Sequence, residues 1–281
     1  MAGSKSPIHL LILSVASALA LQLVAPARGQ DAQQNAAKQN AQQLVQQAVQ
    51  TELAANRDDH SQWLYYEVDR KPRNSVTQWV AETPHGDLDR VLEEDSQKLS
   101  AADQQKKMEG FIQNLDEQAQ RRKAGQHDDD QATELLKLLP NAFVWTGTGS
   151  QAGKTTLHFQ PDPKFHPPDR EARVFASMEG DMTLDDAQHR IVSLKGRLIR
   201  DVKFGGGLFA TLKAGGSFDV ERRETGKAIW QITETHVHIE GHALLFKSIS
   251  EQEDDVKTRF KALPDNLSFQ QAEKELLAES N

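Results

Sequence analysis

Four side chains that can ligate a metal stand close together late in the chain: His236, His238, Glu240 and His242. Side chains alternate along an extended strand, so all four would project from one face, and imidazoles at i and i+2 can share a divalent ion. A metal enzyme would need a third ligand nearby, such as His158 or Glu240, and an open coordination position. Against this, Val237 and Ile239 supply the alternation of an ordinary half-buried strand, and Glu240 with Gly241 reads as a turn that would divert His242. A polar, solvated strand face without metal is the expectation, with His236 and His238 as the pair to watch.

The nearest approach to a phosphate loop is residues 147–155, with Gly147, Gly149, Gly153, Lys154 and Thr155. A P-loop places four residues between its first glycine and Gly-Lys-Thr, whereas Gly147 leaves five and Gly149 leaves three. The segment also leads into a strand pattern at 156–159 where a P-loop must open a helix, so a hairpin turn is expected. The carboxylate pairs Asp185/Asp186 and Asp254/Asp255 fall where hairpins and exposed strands carry charge, without the desolvated setting that acid–base catalysis needs. There is no Gly-x-Ser-x-Gly elbow, no Ser-x-x-Lys and no His-Glu-x-x-His. The expectation is a protein without catalytic residues or cofactor.

Aromatic residues are 6% of the chain, and most fall on strand patterns. Trp63, Tyr65, Trp79, Phe143, Trp145, Phe159, Phe175, Phe209, Phe218 and Trp230 are the candidate ligand-binding set, with Phe204 and Phe246 as further members of the same pattern. Buried aromatic faces are mainly structural, so a core covered by helices is the first reading. A ligand cavity gains weight if the sheet curls, and the glycines at 205–207 and 215–216 are where bulges or bends would be made.

Ala41, Leu44, Val45, Ala48, Val49 and Leu53 recur at helical spacing, predicting a helix over 38–55 with one apolar stripe. Strands are expected at 63–68 and 76–81 around a turn at 71–74, with a third at 87–94. Ser100 caps a helix to about 122, 123–130 is a solvated connection, and a short helix over 132–139 ends before Pro140. Strands follow at 143–146 and 155–160, then a Pro-rich link at 161–168, then strands at 172–184, 189–199, 207–213, 217–224, 228–236 and 243–260. A helix over 268–277 closes the chain. Helices inserted between early strands and a long later meander make an α+β pattern.

The compartment follows from the beginning of the chain. An apolar run over 8–25 ends in Ala25, Pro26 and Ala27, the small-x-small form of a signal-peptidase site, so residues 1–29 are expected to be a cleaved signal peptide. An uncleaved anchor is the alternative, although His9, Ser14, Ser17 and Gln22 dilute a run just short of the roughly 20 residues that span a bilayer. No comparable run follows, so no integral membrane segment is expected after cleavage. Cleavage changes 33 basic against 41 acidic residues to 31 against 41, a formal charge of −10, which argues against nucleic acid as a partner. The absence of cysteine excludes disulfides, thiolate sites and the acylated cysteine of a bacterial lipoprotein. In a Gram-negative cell the free periplasm is then the expected address.

Residues 174–196 (VFASMEGDMTLDDAQHRIVSLKG) resemble a signature hairpin of the LolA/LolB-like superfamily, in which a strand ends in an acidic turn and the next opens on a basic residue. The tracts 197–207 (RLIRDVKFGGG) and 243–249 (ALLFKSI) are similar to a group of exported, outer-membrane lipoprotein-sorting-like bacterial proteins. The resemblance implies one domain over 30–281: an open antiparallel half-barrel whose concave apolar face is covered by helices, with a helical insertion at about 100–139. It further implies a soluble carrier of a lipid or lipoprotein acyl chain, without turnover. An envelope interaction module with a filled core, docking a protein partner, is the rival expectation.

Overall fold

The alternation seen from residue 62 onward builds strands, and the two long apolar-striped segments build the helices that lie on them. The computed structural model describes residues 27–72, 74–205, 210–243 and 247–280. Most of the expected signal peptide, residues 1–26, therefore lies outside the described residues, as do Phe209 and Phe246. In chain order the elements are α1 (Ala27–Asp58), β1 (Gln62–Arg70), β2 (Val76–Ala81), β3 (Leu88–Glu94), β4 (Gln97–Lys98), α2 (Ala101–Gln113) and α3 (Leu115–Ala142). They continue with β5 (Phe143–Gln151), β6 (Lys154–Pro161), α4 (Arg170–Phe175), β7 (Met178–Asp185), β8 (Ile191–Leu198), β9 (Val202–Phe204) and β10 (Ala210–Leu212). The last are β11 (Ser217–Gly226), β12 (Ile229–Ala243), β13 (Lys247–Leu263) and α5 (Phe269–Ala278).

Among the described residues, the thirteen strands form one sheet ordered β4-β3-β2-β1-β13-β12-β11-β8-β7-β6-β5, with β10 joining β12 and β9. The strand pairs are antiparallel, and the two ends of the path do not meet, so the sheet is open and the fold is mixed α+β.

Period-two alternation gives the sheet two faces, and both are used for burial. Toward the β5 end, Val45, Ala48 and Val49 of α1 pack with Phe143, Trp145, Leu157, Phe159 and Met182 on one face. Toward the β4 end the opposite face is buried: Leu64, Trp79, Ala81 and Leu88 lie under Met108 and Phe111 of α2 and Phe269, Ala272 and Leu276 of α5. Buried Arg90 ties this second layer together, donating from Nε to Gln104 Oε1 and from Nη1 to the carbonyls of Leu276 and Glu279. The expectation that helices cover a single concave face is thus corrected. A sheet this wide has an apolar patch on each side, and each needs its own cover.

Three local expectations also change. Residues 172–177 are not strand: Asp169 Oδ1 accepts the Ala172 N–H at 2.7 Å and caps α4, so Phe175 is a helical residue. Residues 123–130 are not a loop: Asn114 ends α2 and, accepting the Glu117 N–H, starts α3, which runs unbroken past Gly125 and includes Pro140. Extending a helix adds one hydrogen bond per residue fixed, whereas a break must be nucleated again, so an exposed polar stretch stays helical. Finally, Gly241 is in mid-strand, opposite Ile249 and Leu212. A Cβ there would lie 2.4 Å from the Thr211 carbonyl oxygen, so the glycine answers crowding between strands rather than a turn.

Candidate functional site

Strand registers place two rows of side chains across the face that α1 partly covers. One row runs Asp69, Asp255, Thr235, Val220, Leu194, Met182, Leu157, Gly147. The neighbouring row runs Glu253, Val237, Phe218, Gly196, Gly180, Phe159, Trp145. Each row changes character along its length. The β5–β7 end is dry, with Trp145, Phe159, Leu157 and Met182 at 0–1% exposure beneath α1. In the middle, Leu194, Phe218, Val220 and Val237 are only half-buried and make an apolar strip. At the β13–β1 end the rows finish in carboxylates.

The aromatic candidates divide among these regions. Phe143, Trp145 and Phe159 form one cluster with ring centroids 4.7–5.9 Å apart, joined by Phe175 of α4 at 4.9 Å from Phe143. Trp145 also donates from Nε1 to the Leu139 carbonyl at 3.1 Å. Phe218 lies over Gly196, which has no side chain to displace its ring. Trp63 and Tyr65 share a separate small cluster with Val80, Ile229 and Phe260 at the charged end. Trp230, half-buried, donates to Gln188 Oε1 at 3.0 Å. Trp79 is on the opposite face, under α5, and is separated from the others by the sheet itself. The set is thus not one lining. The strand alternation that places aromatics is the same on both faces, so it cannot tell them apart.

The charged margin has its own electrostatics. Lys257 Nζ lies 3.4 Å from Glu67 and from Asp255, and 5.2 Å from the Tyr65 ring centroid. Burial pushes the Asp255 carboxyl up to about 6 against the pull of Lys257. Burial, then the neighbouring Asp87 carboxylate, pushes Glu82 up to about 7, although Glu82 Oε2 accepts the Trp63 N–H. Both groups hold protons more tightly in the folded chain than in the unfolded one. Their contribution to stability is therefore present below the ordinary carboxylate range and is lost as pH rises through about 6 to 7. We expect the melting temperature to fall by several degrees between pH 5 and pH 8, a change on the order of 2 kcal/mol. Glu82→Gln and Asp255→Asn should each flatten the profile, as read by thermal unfolding across that range.

Among the described residues, no helix covers the opposite face beyond α2 and α5. There His158, Asp181, Lys195, Asp219, His236, Asp254 and Arg70 stand in register, one per strand, each aspartate between two basic-type residues. They pair sideways: His158 Nδ1 with Asp181 at 2.9 Å, Lys195 with Asp219 at 3.0 Å, and His236 Nδ1 with Asp254 at 2.7 Å. The hydrogen bond to Asp254 leads the influences that hold the His236 imidazole above its ordinary value. From His158 to Asp254 the row lines an open hollow of about 660 Å³. His236 and His238 do share this face, but His158 is four strand spacings away, about 19 Å, and cannot complete a metal site with them. The side chain of His242 lies outside the described residues. Among the described residues no group of three His, Asp or Glu side chains is placed to hold a metal ion.

One residue absent from the sequence reading organises the dry end. Glu52 continues the buried stripe of α1 at the position after Ala48 where an apolar residue is expected, yet it is 2% exposed. It accepts from Arg190 Nε at 3.1 Å and Nη2 at 2.9 Å, from the Ile191 N–H at 2.7 Å, and from Arg222 Nη1 at 2.5 Å. Burial opposes its charge, but the bonds from Arg190, Arg222 and Ile191 outweigh burial and hold the carboxyl below the usual range. A lone acid on an apolar stripe was the available signal.

Compared with known proteins, the chain matches no family model, no curated protein and no solved structure.

Proposed function

We propose that this protein holds a hydrophobic ligand, a lipid or an acyl chain, on the α1 face of its sheet and does no chemistry on it. The observation that carries the reading is the half-buried strip of Leu194, Phe218, Val220 and Val237. It lies in register between a dry core and a charged margin. Apolar side chains with a wet side gain when something apolar covers them, at about 25 cal/mol per Å². An acyl chain along the strip would thereby gain several kcal/mol, with the carboxylates and Lys257 marking where a polar end meets water. An open antiparallel sheet with a helix over its apolar face also suits the LolA/LolB-like half-barrel that residues 174–196 resemble, and an exported, periplasmic carrier is the corresponding role.

The test is native mass spectrometry of the purified chain after lipid extraction, paired with titration of a fluorescent fatty acid. Saturable binding that weakens about tenfold or more in Val220→Asp and Val237→Asp, both on the strip rather than in the core, is the expected result. Absence of co-purifying lipid together with absence of saturable binding would reject it. One observation favours a second reading, a protein-binding module with a filled core. Phe143, Trp145 and Phe159 touch one another and are only 1–2% exposed, so the space beneath α1 is already taken. Under that reading the bare, charged face with its hollow docks an envelope partner, and the fatty-acid titration stays flat.

A further inference from the structure

We propose that Glu52 is a latch: its buried contact with Arg190 and Arg222 holds α1 against the sheet, and breaking it releases α1 as a unit. This rests on the ligand-binding reading only for its consequence, since release would extend the apolar strip toward Trp145 and Phe159. The physical argument concerns the two sides of the contact. On the sheet side the arginines keep other partners: Arg190 Nη1 donates to the Ala228 carbonyl at 3.1 Å and Arg222 Nη2 to the Trp230 carbonyl at 3.2 Å. That half of the latch stays in place whether or not the helix is docked. On the helix side Glu52 is the one buried acidic residue among those described, and the stripe it ends is otherwise made of the small side chains Ala41, Val45, Ala48 and Val49.

A buried ion pair is a poor way to gain stability, because desolvation offsets most of the attraction, and an apolar residue would fill the same stripe. What it provides is direction: the carboxylate sits where four N–H donors from three residues converge. The other polar tie described between α1 and its surroundings is at the far end of the stripe, where Gln42 Nε2 donates to the Pro140 carbonyl. At its C-terminal end α1 meets β1 through residues 59–61, where Asp59 Oδ1 accepts the Ser61 N–H. Besides these two polar ties α1 is held by its apolar stripe against Phe143, Trp145 and their neighbours, and a helix joined to the sheet by a short link can leave that surface without breaking strand pairing.

The experiment is hydrogen–deuterium exchange on the whole chain with no ligand added, comparing the parent with Glu52→Gln. The amides of residues 41–56 should exchange at least tenfold faster, while those of β6 and β7 keep their protection. Arg222→Gln, which leaves the Arg190 bonds, should show the same pattern at smaller size. It carries the test by the same criterion if Glu52→Gln does not fold. Unchanged exchange in α1, or equal acceleration of α1 and the strands, overturns the latch. Because no ligand is present, a latch that works alongside a flat fatty-acid titration rejects the binding reading alone.

Discussion

Trp145→Ala is expected to cost about 3–5 kcal/mol of folding stability, the range for removing a large aromatic from a packed core. Trp145 is 1% exposed, touches Phe143 and Phe159 edge-on or tilted, and spends its indole N–H on the Leu139 carbonyl at the end of α3. Truncation removes ring contacts on two strands and leaves a buried carbonyl without its donor, so the two losses add. The cavity opens where α1, α3 and β5 meet, which leaves little freedom for neighbours to collapse into it. In a chain of this size the loss corresponds to about 10 °C in melting temperature. Trp145→Phe keeps the ring and should cost less than half as much. Urea unfolding of the two variants checks both values.

Gly180→Ala should be nearly as damaging for a different reason. A Cβ at Gly180 would lie 1.9 Å from the Lys195 carbonyl oxygen and 2.7 Å from Gly196 Cα, both backbone atoms of the paired strand. Rotation of a side chain cannot relieve that clash, so β7 and β8 must separate where Phe159 and Phe218 pack over the Gly180–Gly196 pair. A loss of about 3 kcal/mol or more is expected, at or above the usual cost of overpacking. Gly110→Ala is the contrast. It sits inside α2 with no atom within 4 Å of the new methyl, and it should raise stability by about 0.5–1 kcal/mol through helix propensity. Opposite signs from one chemical change, measured in the same urea titration, separate steric from conformational effects.

Much of the architecture was legible because it depends on period and caps. The α1 stripe, the Ser100 cap of α2 and the turn between β7 and β8 that carries Asp185 and Asp186 are local devices whose residues lie close together in sequence. The strand reading of 172–177 failed because Ala172, Val174 and Ala176 alternate like a strand, while the signal that decides the case is the Asp169 cap after a Pro-rich link. Residues 123–130 have the composition of a loop, but they lie within α3, where helix continuation outweighs low local propensity.

The site was less legible, and for one reason. Alternation says that side chains share a face without saying which face of the sheet or what covers it. Trp79 and Trp145 look alike in sequence and end on opposite sides. Val237 reads only as part of an ordinary half-buried strand and Val220 carries no signal of its own, because neither is aromatic, yet both lie on the strip that carries the proposed site. Glu52 was hidden because its partners Arg190 and Arg222 are more than a hundred residues away. Asp254 and Asp255 read as one carboxylate pair, yet they face opposite ways, one bonded to His236 and the other beside Lys257.

The most direct measurement uses a brominated fatty acid, which quenches tryptophan emission on close approach, with a reporter on each side of the same strands. Phe218→Trp places the reporter on the apolar strip, and Lys195→Trp places it on the bare face of the neighbouring strand. Quenching beyond that of the parent, with its four native tryptophans, in Phe218→Trp at the concentration that saturates binding, and none beyond the parent in Lys195→Trp, is the expected result. Quenching of both reporters alike, or of neither, would contradict a ligand held on the α1 face.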